Sequence, residues 1–114
     1  MNKLCHIEIP APDLEKTAEF YRKIFGWEVE IAPDKSYAFF KDGSVGGGFD
    51  PSSSVQPDGI NLVIEVDDIP EKLLEIEQAG GIIVKQKTEI GGGYGFYASF
   101  KDINGNRLSI WSKI

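Results

Sequence analysis

A chain of 114 residues holds about one domain's worth of core, enough to bury roughly two-thirds of the surface its unfolded form would expose. Its 18 acidic residues outnumber its 12 basic ones, giving a formal charge of −6 with no Lys or Arg cluster to track a phosphate backbone, so nucleic acid is not an expected partner. The lone Cys5 rules out an intramolecular disulfide and, with no leader-like or ~18-residue apolar stretch in view, points to a cytoplasmic protein away from the membrane.

In residues 4–9, Cys5, Ile7 and Ile9 alternate with His6 and Glu8, the period of a half-buried strand in which Cys5 is expected to be a small core residue. Asp13 then stands as an N-cap before the amphipathic segment LEKTAEFYRKIF, whose apolar stripe is Leu14, Thr17, Ala18, Tyr21, Ile24 and Phe25. Gly26 permits the left-handed stop. Three short strands follow over 27–31, 37–41 and 44–49, joined by turns at 33–35 and at Asp42-Gly43. PSSSVQPDG, residues 51–59, has the composition of a connector.

The second half repeats the first. Alternation over 60–66 places Leu62, Ile64 and Val66 in the core phase and Asn61, Val63 and Glu65 opposite. Asp68 and Glu71 around Pro70 form an Asp-x-x-Glu helix start, and the helix runs to Ala79 before Gly80-Gly81. Strands are expected over 82–87, 94–101 and 107–112, the first two joined by a glycine-rich loop and the last two by a turn at 102–106. An offset of 55 carries Asp13 onto Asp68, Gly26 onto Gly81 and His6 onto Asn61. A repeat of this kind predicts an α+β domain over 1–114 built from two βαβββ modules, about 1–50 and 60–114, with a linker at 51–59. The two curved mixed sheets would carry a helix on one face and form a cup with the other.

That second face collects the non-core residues: His6 and Glu8, then Asn61, Val63 and Glu65, then Arg107, Ser109 and Trp111. His6 is the only histidine. Three roles stay open for it: a hydrogen-bonded residue lining a cavity, a general acid-base or ligand-orienting group, or a metal ligand. Asn61 and Ser109 suit the binding of a polar small molecule, while Trp111, Phe49 and Phe96 are candidates for apolar or stacking walls. The runs Gly46-Gly47-Gly48 and Gly91-Gly92-Gly93 lead into no helix N-terminus, so they are not phosphate loops; the second is a flexible connection or a lid.

His6 seven residues before Asp13, the segment EFYRKIFGWEVE, the VDD and AGG of the second module and the closing FKDINGNRLSIW together resemble the vicinal oxygen chelate superfamily. This superfamily comprises glyoxalase I, bleomycin-resistance proteins and extradiol dioxygenases, and a glyoxalase-like branch fits best. The resemblance implies the two-module fold and, in metal-dependent relatives, four ligand positions. In this sequence these fall on His6, near Gly47, on Asn61 and on Ser109. Only His6 is a strong ligand, so no metal or other cofactor is expected. The resulting expectation is a protein that binds a small polar or aromatic molecule in the cup, as a homodimer. The alternatives are a metal-dependent lyase or isomerase of the glyoxalase type, with His6 and Glu8 catalytic, and a resistance protein that sequesters a drug.

Overall fold

The computed structural model describes Asn2 and residues 4–55 and 57–114. The chain divides into two compact units, Met1–Val55 and Gln56–Ile114, so the boundary falls inside the proline- and serine-rich connector. Each unit is a βαβββ module with a four-stranded mixed sheet.

In the first unit, β1 (Ile7–Pro10) lies parallel to β4 (Gly46–Asp50), and β3 (Ala38–Lys41) and β2 (Glu28–Ile31) continue the sheet antiparallel in the order β1-β4-β3-β2. Helix α1 (Leu14–Phe25) begins where the Asp13 carboxylate accepts from the Lys16 N–H at 3.0 Å, and it ends at Gly26 with φ 66°. Its buried face carries Leu14, Thr17, Ala18, Phe20, Tyr21 and Ile24. Tyr21 is the centre of the core: its ring lies 4.9 Å from both Phe49 and Trp27, and Phe40 closes the cluster 5.0 Å from Phe49. Burying rings of this size contributes roughly 1.5–3 kcal/mol each.

The second unit repeats the plan with β5 (Val63–Glu65), α2 (Ile69–Gln78), β6 (Ile82–Glu89), β7 (Phe96–Lys101) and β8 (Arg107–Ser112), in sheet order β5-β8-β7-β6. Asp68 caps α2 through the Glu71 N–H at 3.0 Å. Ile69, Leu73 and Ile76 of the helix meet Ala98, Phe100, Leu108 and Ile110 of the sheet, all at or near zero exposure. No described helix is long and apolar enough to cross a membrane.

Several expectations need correction. The first strand starts at Ile7 rather than residue 4, because its partner β4 begins only at Gly46, opposite that end. Cys5 is consequently exposed and not a core residue. The fifth strand is likewise shorter than 60–66, and Ile60 is 92% exposed. The left-handed glycine after α2 is Gly80 (φ 98°), not the repeat equivalent Gly81. The glycine-rich segment is a tight hairpin turn closed by hydrogen bonds from the Ile90 N–H to Gly95 O and from the Tyr94 N–H to Gly91 O. Strand β7 therefore begins at Phe96, after the turn.

Candidate functional site

Strand register decides which side chains share the surface turned away from α1. Glu8 pairs with Gly48, Gly48 with Phe39 and Phe39 with Glu30; the neighbouring row is Gly46, Lys41 and Glu28. Just before β3, in the phase of Phe39, comes Tyr37, which the sequence reading did not single out. Its phenol reaches across Gly48, donates to Glu8 Oε2 at 2.9 Å and lies 2.7 Å from His6 Nε2. The two rings stack with an interplanar angle of 16°.

Gly48 makes this arrangement possible. A Cβ at that position would sit 1.9 Å from the Tyr37 hydroxyl, so any side chain would displace the phenol. Desolvation, followed by the hydrogen bond to Glu8 and the negative charges of Glu8 and Asp50, pushes the Tyr37 pKa up to about 12. The Asp50 carboxyl is held below its usual range by the Ser52 hydroxyl first, then by the Ser52 N–H and the Ser53 hydroxyl. Tyr37 is therefore a protonated donor, placed between an imidazole and a carboxylate.

His6 also borders an open cleft of about 710 Å³ in the first unit, with Trp27, Phe39, Lys41, Arg22 and Gly46 among its walls. The Arg22 guanidinium is anchored on the Val29 carbonyl, and Phe39 is 54% exposed. Aromatic faces, two cations and the carboxylates of Glu28 and Glu30 thus stand beside one imidazole. Gly47, where the resemblance put the second ligand position, faces α1 instead: a Cβ there would meet Ile7 O at 1.9 Å and the Phe40 ring at 2.6 Å. The residue beside Glu8 on the open face is Gly48, one position on. Phe49, expected as a ligand wall, is fully buried between Tyr21 and Phe40.

In the second unit the Asn61 and Ser109 positions do come together. The Ser109 hydroxyl donates to Asn61 Oδ1 at 3.1 Å and lies 3.0 Å from the Ser99 hydroxyl. With its hydrogen given to Asn61, Ser109 receives that of Ser99. Ser109 is 2% exposed and Asn61 is exposed, so only the amide is available to a ligand. Trp111 shares this face, half-buried, with its indole N–H on Tyr94 O at 2.7 Å. Phe96 does not share it. Its pairing with Ser112 puts it in the phase of Ala98 and Phe100, on the α2 side, where the Lys87 ammonium lies 4.6 Å above its ring. Tyr97, one residue further along, is the aromatic paired with Trp111.

The family model for the glyoxalase/bleomycin resistance protein/dioxygenase superfamily matches residues 3–110. The chain belongs to this superfamily. A glyoxylase-like domain-containing protein from Didymella fabae is 27% identical to this superfamily member over 116 residues, covering 94% of this chain and 91% of the relative. The fold is shared with the fosfomycin resistance protein FosX of Listeria monocytogenes in its complex with Mn(II) and sulfate, at TM-score 0.81 and 22% identity over 98% of this chain and 90% of that one. Lactoylglutathione lyase from Agrobacterium tumefaciens aligns at TM-score 0.73 and 19% identity, covering 98% of this chain and 94% of the other.

Metal-dependent superfamily members require a donor set that this chain's residues do not fit. The first unit offers one imidazole whose Nε2 is engaged by Tyr37 and one carboxylate, Glu8, that accepts from the same phenol. The second offers a serine and an asparagine already bonded to each other. Among the described residues no three His, Cys, Asp or Glu side chains group to hold an ion. Zn²⁺ is held by three or four imidazole, thiolate or carboxylate donors, and harder divalent ions by several oxygens with carboxylates among them.

Proposed function

We propose that this superfamily member binds a small polar or aromatic molecule in the cleft beside His6, without the metal centre of its metal-dependent relatives. The carrying observation is the first unit's open cleft, where His6 stands among Trp27, Phe39, Lys41 and Arg22 beside Gly46. Its volume of about 710 Å³ lies within the roughly 300–1,000 Å³ of small-molecule sites. The rings supply stacking area, and the cations and imidazole supply orientation. The metal-free part is supported by the donor chemistry at His6, Gly48, Asn61 and Ser109. We also propose a homodimer, supported by the unpaired outer edges of β1, β2, β5 and β6 and by exposed Leu4, Ile60 and Val63.

A thermal-shift screen of small polar and aromatic metabolites, run beside divalent ions, tests this reading. Hits should be organic, and their stabilisation should fall in a Phe39→Ala variant. Metal analysis of protein purified without chelator is the complementary measurement. Near-stoichiometric Zn, Mn, Ni or Fe that disappears in His6→Ala would overturn the metal-free part.

A further inference from the structure

We propose that Tyr37 is a positioning residue that fixes the tautomer of His6, leaving Nδ1 as a bare hydrogen-bond acceptor, so that the cleft takes ligands carrying an O–H or N–H donor. The ligand half of this statement rests on the cleft being the binding site proposed above; the tautomer half stands on geometry alone.

A phenol has one hydrogen. Glu8, as a carboxylate, only accepts, so the 2.9 Å contact from Tyr37 to Glu8 Oε2 uses that hydrogen. The 2.7 Å contact to His6 Nε2 then has one remaining solution: the imidazole donates from Nε2 into a phenol lone pair. A neutral imidazole protonated at Nε2 is unprotonated at Nδ1. Nδ1 makes no hydrogen bond to any described residue, and His6 lines the cleft whereas Tyr37 and Glu8 do not. The carboxylate thus sets the direction of a three-membered chain, and the phenol passes it on. What reaches the cleft is a neutral acceptor, on walls that also carry the cations of Arg22 and Lys41 and the carboxylates of Glu28 and Glu30. A molecule with a hydroxyl or amine hydrogen beside a carbonyl or anionic oxygen would satisfy the imidazole and the cations.

His6 is the only histidine, so its ring nitrogens can be followed without assignment by long-range proton–nitrogen correlation on the ¹⁵N-labelled full chain. Above the imidazolium titration, the wild type should show a protonated Nε2 and a bare Nδ1, well separated. In Tyr37→Phe the two resonances should move towards each other as the tautomers mix. Glu8→Gln is the sharper variant, because an amide can donate to the phenol and allow it to turn round; the pattern should then shift towards Nδ1–H. A wild type already in the Nδ1–H form, or spectra unchanged in both variants, would overturn the assignment.

Phenol and anisole serve as ligand probes that share a ring and differ in the donor hydrogen. Phenol should displace the Nδ1 resonance and anisole should leave it in place. Equal displacement by both overturns the acceptor role. Silence from both overturns the ligand half together with the cleft as a binding site, and it does so independently of the tautomer result.

Discussion

Tyr37 carries the clearest pH-dependent expectation. An unfolded tyrosine titrates near about 10, whereas this phenol is pushed up to about 12, so the folded state holds the proton more tightly. The resulting stabilisation is complete below about pH 10 and is lost as pH rises towards about 12. Tyr37→Phe should lower unfolding free energy by about 0.5–1.5 kcal/mol near neutrality, the ordinary net worth of such hydrogen bonds. In urea denaturation, the gap between wild type and variant should hold up to about pH 10 and narrow between about pH 10 and about pH 12; a gap that widens there would contradict the bonded, protonated phenol. The sequence showed His6 and Glu8 on one side of a strand, since alternation alone reports that. For residues 37–41 it gave a strand without saying which face Tyr37 or Phe39 takes, and even a phase does not reveal which side chain leans sideways over a neighbouring strand. That required the register of β3 against β4 and of β4 against β1, which a single sequence does not encode.

Two consecutive glycines of β4 should respond differently to the same methyl group. Gly47→Ala pushes a Cβ into the Ile7 carbonyl and the Phe40 ring, where backbone and packed core cannot yield, and should cost at least about 1–3 kcal/mol in thermal or urea unfolding. Gly48→Ala meets first the outer end of the Tyr37 ring, which can swing away, so the fold should persist while the His6–Tyr37 contact is lost. Equal destabilisation of the two variants would mean that the open face is assigned to the wrong glycine. In β8, Ser109→Ala strands the buried Ser99 hydroxyl and should cost about 1–3 kcal/mol. Removing both hydroxyls should cost less than the sum of the single changes, because no donor is then left unpaired. The helices were legible from their caps and stripes, since Asp13, Asp68 and Gly26 act within a few residues. Phe96 and Phe49 were misplaced for a different reason. Aromatic character marks burial but not which face of a sheet, and Phe96 shares the parity of Ala98 rather than of Ser99.

The chain as a whole is two copies of one plan, each with its own buried cluster, and its duplication was visible as the 55-residue offset. Each unit exposes apolar residues beside an outer strand: Leu4 is 86% and Ile60 92% exposed. If these are covered by a second copy, light scattering at micromolar concentration should return twice 12.6 kDa, and Ile60→Lys should shift the population towards the single chain. A mass of 12.6 kDa in the wild type across that range would remove the homodimer.

The contact between Tyr37 and the bare position 48 has a consequence for how this molecule can change. A side chain there and the phenol claim the same volume, so they are alternatives and never partners. A His or Glu substituted for Gly48 would not add a ligating group to the existing chain of hydrogen bonds. It would evict the phenol and return His6 Nε2 to whatever the newcomer recruits. One codon therefore separates two chemistries, and an intermediate holding both has no room to exist.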